Sequence, residues 1–220
     1  MNSASPKGSG DGSSGDDWGT TRTERERVAT SIRLRTPVSD RLFDRFLPRE
    51  TRAVSAMYWT PLVAAVRAAQ WFDEVDARTV LDIGSGAGKF CVAAALAGRS
   101  CYVGVEHRER LVHSARRLAQ QFRVTDRVSF LHQPFTSQIE VRADAYYLYN
   151  PFGENLFQSE RQLDASVELS DARYLRDVAW TEELLRRAAI GSHLITFSGF
   201  GGLVPRTYEE VRVDWTLPSI

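Results

Sequence analysis

The feature that most constrains this chain is residues 80–90, where an apolar segment runs into a glycine-rich turn and then into a second apolar segment. Asp82 stands at the end of the predicted strand, and Gly84, Gly86 and Gly88 follow at every second position. Glycine lets the backbone turn sharply and approach a ligand closely, and the amides that open the next helix then face that ligand. This pattern predicts a doubly wound α/β domain that binds a nucleotide-like ligand at the carboxyl end of its first strand.

The spacing of the glycines separates three classes of ligand. A phosphate-binding P-loop ends in Gly-Lys-Ser/Thr, but Phe90 follows Gly88-Lys89 here. A dinucleotide fingerprint, G-x-G-x-x-G, has its third glycine one residue later than Gly88, where this chain has Lys89. The pattern Asp-x-Gly-x-Gly-x-Gly instead resembles motif I of the class I methyltransferases that depend on S-adenosylmethionine (SAM). That resemblance implies SAM as the cofactor, with its amino-acid part held by Asp82 and the turn, including Ser85; the alternative is a glycine-rich turn without a ligand.

The next predicted strand, Cys101–Glu106, ends in a carboxylate about twenty residues beyond the turn. A carboxylate at this distance can accept hydrogen bonds from both ribose hydroxyls of a nucleotide cofactor. Resemblance to the methyltransferases implies that role for Glu106. The alternative is an exposed glutamate that caps the helix predicted over residues 109–122.

The third predicted strand, Arg127–Leu131, is followed by His132 and Gln133. The methyltransferase family often has an acidic residue here, which accepts a hydrogen bond from the adenine amino group. This chain departs from that pattern, and the amide oxygen of Gln133 offers a substitute acceptor. His132 fits an ordinary loop position equally well.

Asn150, Pro151 and Phe152 follow an apolar and aromatic segment that begins at Ala145. They resemble the Asn-Pro-Pro-Tyr motif of methyltransferases that act on nitrogen, with one proline missing. The resemblance implies that Asn150 and the Pro151 carbonyl orient the acceptor amine and that Phe152 packs on the substrate. The alternative is an ordinary turn, since Asn-Pro favours turn initiation.

An aromatic-Thr-Pro element, Tyr58 to Pro61, lies upstream of the glycine turn. It resembles the SAM-contacting N-terminal motif of amino-group methyltransferases, which implies that Tyr58 and Thr60 contact the cofactor. Thr60 as N-cap followed by Pro61 is also a common way to begin a helix.

Composition places the chain among ordinary single-domain proteins. It has 220 residues and a formal net charge of zero, so no global charge indicates a nucleic acid or an anionic membrane as partner. Cys91 and Cys101 lie in apolar runs and are expected to be buried thiols in a reducing compartment. The four histidines are scattered, which does not indicate a metal site. Without a long apolar run or a signal-peptide pattern, we expect a cytoplasmic protein that does not bind a membrane.

The chain divides into three predicted segments. Residues 1–19 are almost free of apolar side chains and should form a disordered tail, whereas residues 20–72 carry short helical patterns. Residues 73–220 alternate strands and helices, which predicts a mostly parallel, Rossmann-like sheet with helices on both faces. A strand at 193–198 and one further strand at 208–215 are expected at the end. The antiparallel pair that the family resemblance implies there would then be incomplete.

Together these resemblances imply a SAM-dependent methyltransferase that acts on a nitrogen of a protein, a nucleic acid or a small molecule. In-line methyl transfer needs mainly proximity and orientation from the protein, so no nucleophile is expected. Two alternatives stay open. A nicotinamide-dependent oxidoreductase would use Glu106 in the same way, and a methyltransferase-like protein could bind SAM without turnover.

Overall fold

The computed structural model describes residues 20–136 and 138–217, so the predicted tail at 1–19 lies outside the described residues. Within these ranges five strands form one parallel sheet with the order β3-β2-β1-β4-β5. The strands are β1 (Thr79–Ile83), β2 (Cys101–Glu106), β3 (Val128–His132), β4 (Ala145–Tyr149) and β5 (His193–Phe197). The order reverses between β1 and β4, and ligands of doubly wound sheets bind outside the carboxyl ends of the strands at this point.

Helices connect the strands and precede the sheet. They are α1 (Arg22–Arg33), α2 (Asp40–Phe43), α3 (Arg49–Ala53), α4 (Ser55–Tyr58), α5 (Leu62–Glu74), α6 (Lys89–Ala97), α7 (Glu109–Phe122) and α8 (Asp171–Arg187). Short 3-10 turns lie at Asp44–Phe46, Gly153–Leu156 and Ser159–Arg161. None of the helices in the described part of the chain has the length and apolarity that crossing a bilayer requires.

The two faces of the sheet carry separate apolar clusters, because successive side chains of a strand point in opposite directions. Val80 of β1 packs with α1, α5, α6 and α7 in the larger cluster. Leu81 and Ile83 pack with Val178 and Leu185 of α8 in the smaller one. The predicted α/β architecture with helices on both faces is therefore confirmed.

Besides apolar packing, a buried cation connects the N-terminal helices to α6. The ammonium of Lys89, at the start of α6, lies 2.6 Å from Asp40, 2.8 Å from Asp44 and 3.0 Å from the hydroxyl of Ser55. The carboxylate of Asp40 also accepts a hydrogen bond of 2.9 Å from the amide of Leu62, which opens α5. Lys89, which follows the glycine turn, thus connects Asp40, Asp44 and Ser55 to the start of α6.

Three local predictions were wrong. Thr60 does not cap α5, because its hydroxyl lies 3.1 Å from the Tyr147 hydroxyl. The carboxylate of Asp40 instead accepts the hydrogen bond from the Leu62 amide at the start of this helix. Cys101 is exposed, because it is the first residue of β2, whereas Cys91 is buried in α6. The described segment 208–215 contains no strand, because β5 pairs only with β4 and the segment lies over α5 through Arg212 and Asp214.

Candidate active site

A cavity opens at the carboxyl ends of β1, β2 and β4, where the strand order reverses. Seven of the residues predicted from sequence line it: Tyr58, Gly84, Glu106, Gln133, Asn150, Pro151 and Phe152. The other five, Thr60, Asp82, Ser85, Gly86 and Gly88, do not line it. The topology thus brings the glycine turn, the end of β2 and the Asn-Pro-Phe segment to one place.

The glycine turn closely approaches two other parts of the site. Gly84 and Gly86 have φ angles of +74° and +53°, a left-handed conformation that favours glycine. A Cβ added to Gly84 would lie 2.9 Å from the Cβ of Pro151, and one added to Gly86 would overlap the indole of Trp59. Side chains at these two positions would therefore separate the turn from the Asn-Pro-Phe segment or from α4.

Glu106 is buried at the end of β2 with both carboxylate oxygens engaged. One oxygen accepts a hydrogen bond of 3.1 Å from the amide of Gly86, and the other accepts one of 2.8 Å from the amide of Arg108. Burial raises the pKa of this carboxyl, while the amide and guanidinium of Arg108 oppose the shift. The carboxylate therefore bridges the glycine turn and the start of α7 at the wall of the cavity.

Asp82 is buried at the end of β1 and does not line the cavity. Its carboxylate accepts a hydrogen bond of 3.2 Å from the thiol of Cys91 in α6. The pKa of Asp82 is raised to about 7, mainly by burial; the hydrogen bond from Cys91 opposes this shift, and the charge of Glu106 adds to it. Because Asp82 does not line the cavity, its predicted contact with the amino-acid part of a cofactor stays a prediction.

Asn150 stands at the cavity with its side-chain amide available. Its backbone amide donates a hydrogen bond of 2.9 Å to Gly199, and its φ of +36° turns the chain sharply after β4. No described residue forms a hydrogen bond with its side chain, although Asn tolerates this left-handed backbone better than most residues. Beside it, Phe152 is buried with its ring centroid 5.8 Å from that of Phe135. The site thus combines an amide that can form hydrogen bonds with a ligand and a buried aromatic side chain that forms an apolar wall.

Sequence reasoning missed an ion network that closes one side of the cavity. The buried guanidinium of Arg108 makes paired hydrogen bonds of 2.8 and 2.9 Å to Glu154 and one of 3.1 Å to Asp164. Glu154 also accepts a bond of 2.7 Å from the amide of Leu163. Residues 154–164 are therefore held against the end of β2. The only signal in the sequence was the position of Arg108 two residues after Glu106.

His107 was also missed, and it lies between two cations. Its ring nitrogens are 2.6 Å from the guanidinium of Arg173 and 3.1 Å from that of Arg108. Burial lowers its pKa to about 3, and both guanidinium charges contribute to the shift. The imidazole is therefore neutral at physiological pH. In the part of the chain that the structure describes, no group of histidine, cysteine and carboxylate side chains has the arrangement of a metal site.

Comparison with known proteins identifies the central part of the chain. A family model described as "Methyltransferase domain" matches residues 74–147, which include the glycine turn, Glu106 and Gln133. Residues 74–147 are therefore similar to a methyltransferase domain. SAM is the cofactor of this methyltransferase family, so the cofactor predicted from the glycine turn is confirmed at the level of the family.

Solved structures agree on the fold. A protein from Klebsiella pneumoniae described as an O-methyltransferase has a TM-score of 0.50 and 15% identity, covering 80% of this chain and 73% of its own. A SAM-dependent methyltransferase from Geobacter sulfurreducens, in complex with S-adenosyl-L-homocysteine, has a TM-score of 0.46 and 18% identity, covering 68% of this chain and 55% of its own. At 15% identity, the likeness to the Klebsiella pneumoniae protein concerns the fold alone. No curated protein matches this sequence.

The residues present fit SAM on the evidence of the site itself. The glycine turn offers a surface without side chains, and the hydroxyl of Ser85 is buried in that turn without a hydrogen-bond partner. Glu106 supplies carboxylate oxygens at the place where a ribose would bind. A dinucleotide would require the third glycine one residue later, where the ammonium of Lys89 is already committed to Asp40 and Asp44.

Proposed function

We propose that this chain transfers the methyl group of SAM to a nitrogen atom of an acceptor, and that Asn150 orients that nitrogen. The observation that carries the proposal is the side-chain amide of Asn150, which has no partner among the described residues and stands at the cavity next to the glycine turn. A polar group without a partner at a cavity wall is available to a ligand.

The contact between Pro151 and Gly84 supports this arrangement. Since a Cβ on Gly84 would lie only 2.9 Å from the Pro151 Cβ, the turn that follows β4 lies directly against the turn that follows β1. An acceptor held by Asn150 therefore lies next to a cofactor held by the glycine turn. Holding two reactants together in this way provides most of the catalysis that a direct displacement needs.

Each residue has a limited task in this account. SAM, when bound, supplies an electrophilic methyl group on a sulfonium. Glu106 accepts hydrogen bonds from the ribose, Gln133 faces the adenine, and Phe152 forms the apolar wall of the acceptor site. The oxygen of the Asn150 amide accepts a hydrogen bond from the acceptor N–H and so directs the nitrogen lone pair. Residues 154–164, held by Arg108, exclude water from the cavity.

The acceptor is best found by direct labelling. The protein is incubated with methyl-labelled SAM and with separate protein, nucleic-acid and small-amine fractions of a cell extract, and the labelled product is characterised by mass spectrometry. We expect the label on nitrogen in one of these fractions. A label found only on oxygen or carbon would contradict the nitrogen assignment while leaving the methyltransferase assignment intact.

Variants of Asn150 test its role once an acceptor is known. Asn150→Gly removes the amide without cost at a φ of +36°, and Asn150→Ala removes it with some backbone strain. Both should lower turnover by roughly 10²-fold, the order of effect of losing an orienting group, while SAM affinity changes only a few-fold. Asn150→Asp, which keeps a hydrogen-bond acceptor, should retain more activity. Turnover of Asn150→Gly at the wild-type rate would show that Asn-Pro-Phe is only a turn.

A further inference from the structure

Residues 209–215 form an exposed segment whose backbone is left unpaired. Residues 209–214 adopt neither helix nor strand, and a turn begins at Trp215. None of the backbone groups of residues 209–215 forms a backbone hydrogen bond with another described residue. From its third residue to its last, the segment carries Val211, Val213 and Trp215, which expose 87%, 42% and 89% of their surface. Three large apolar side chains at alternate positions beside an unpaired backbone have the composition of a strand that lacks a partner.

The side chains between these apolar residues fix the segment to the outer face of α5. Arg212 lies 2.6 Å from Glu74 and stacks over the ring of Trp71, and Asp214 lies 3.0 Å from Arg67. The even-numbered side chains therefore bind the chain's own helix, while the odd-numbered apolar side chains are left exposed. The contacts with α5 therefore hold the segment in a defined position with its apolar side chains exposed.

The sequence Val-Arg-Val-Asp-Trp is complementary to itself in one antiparallel register. If two copies of the segment pair about a two-fold axis through Val213, then Val211 lies opposite Trp215 and Arg212 lies opposite Asp214. Residues directly opposite each other in an antiparallel pair share a face of the ladder. One face of the pair is then entirely apolar and the other places each cation opposite an anion. A shift of one residue would place Val213 opposite a charged residue and would lose both matches.

We propose that residues 211–215 form a symmetric antiparallel strand pair with the same residues of a second copy of this chain. The second copy is favoured over another partner because it supplies both the apolar and the charge complement in one register. A two-fold arrangement also ends at two copies, because the strand edge that each copy uses is paired with the same edge of the other copy. A strand pair of this length buries less surface than a stable interface, so the dimer should be weak and depend on concentration.

Engineered cysteines test the register directly. Val213→Cys is made in a Cys101→Ser background, which removes the exposed native thiol and leaves the buried Cys91. In the proposed pair the two copies of residue 213 are directly opposite, about 4.5–5.5 Å apart at Cα, within reach of a disulfide. Mild oxidation should yield a covalent dimer. The matched control, Val211→Cys, places its two thiols about 14 Å apart along the ladder and should not cross-link.

Sedimentation equilibrium tests the association without cross-linking. The wild-type mass should rise from 24.8 kDa towards about twice that value as the protein concentration increases. Val213→Lys, which places two ammonium groups opposite each other, should stay monomeric, while Leu203→Lys at another exposed apolar position should associate as the wild type does. A mass of 24.8 kDa at every concentration, or equal cross-linking at positions 211 and 213, would overturn the proposal.

Discussion

The indole ring of Trp59 lies directly against Gly86, in the turn between β1 and α6. The ring is held there by a hydrogen bond of 3.0 Å from its Nε1 to the carbonyl oxygen of Thr51. Trp59 precedes the Thr-Pro pair that resembled a cofactor-contacting motif, so the structure brings that element to the glycine turn. The contact connects the N-terminal helices to the site. Because of it, even the methyl group of an alanine at position 86 would overlap the indole.

Gly86→Ala should destabilise the protein more than a glycine substitution of the same backbone type elsewhere. Gly191 is the matched control: its φ of +86° is also left-handed, but a Cβ there would meet no atom within 4 Å. Gly191→Ala should cost about 1–2 kcal/mol of the free energy of unfolding, the cost of the backbone alone. Gly86→Ala should cost about 1–3 kcal/mol more, because the indole must move. Urea denaturation measures both, and equal costs would show that the indole yields freely.

The buried carboxyl of Asp82 should make the stability of the protein depend on pH. Its pKa is about 7 in the folded chain against 3.8 for the ordinary group, so between these values the folded state holds a proton that the unfolded state has lost. Its contribution to the free energy of unfolding is therefore present below about pH 4 and is lost as the pH rises through about 7.

Asp82→Asn removes this titration and isolates its effect. The free energy of unfolding of the variant, relative to the wild type, should increase from pH 4 to pH 7, by up to about 4 kcal/mol. His107, whose lowered pKa has the opposite effect on stability, is present in both proteins and largely cancels in the difference. Denaturant titrations at several pH values measure the difference, and a difference that stays constant would mean that Asp82 is ionised in the folded protein.

Arg108 should hold residues 154–164 over the cavity. Arg108→Gln leaves Glu154, whose side chain is only 11% exposed, without its paired hydrogen bonds, which should cost about 3–5 kcal/mol. Arg110 is the control, because it also binds Asp164 at 2.9 Å but is 44% exposed, and Arg110→Gln should cost less than about 1 kcal/mol.

Limited proteolysis reports on the same segment locally. Arg161 is a trypsin site within residues 154–164, and cleavage there should accelerate in Arg108→Gln and stay close to the wild-type rate in Arg110→Gln. Similar rates in all three proteins would show that other contacts hold the segment.

The sequence predicted the elements whose pattern is local. The glycine turn and the β2 carboxylate could be located because strand, turn and helix follow one another within about thirty residues, and parallel strands bring their carboxyl ends to one edge. The Asn150 turn could be placed for the same reason, since it directly follows a buried strand. Glu106 and Asn150 therefore lie at the same cavity, as expected from topology alone.

The parts that could not be predicted depend on contacts between distant residues. Asp40 replaces Thr60 as the cap of α5 because Lys89 draws Asp40 to that place, and no local pattern reveals such a pairing. Arg108 binds Glu154 across 46 residues. The strand predicted at 208–215 had the right alternation, but a strand needs a neighbour, and no described segment of the chain pairs with it.

The central claim is that the cavity binds SAM through the glycine turn and Glu106, and calorimetric titration tests it most directly. S-adenosylhomocysteine, the product form, should bind the wild type with micromolar affinity, about −8 kcal/mol, while NAD should give no binding heat. Glu106→Ala should weaken S-adenosylhomocysteine binding strongly, since the ribose loses its acceptor, in a protein whose circular dichroism shows that it is folded. Binding of NAD without binding of S-adenosylhomocysteine would contradict the account.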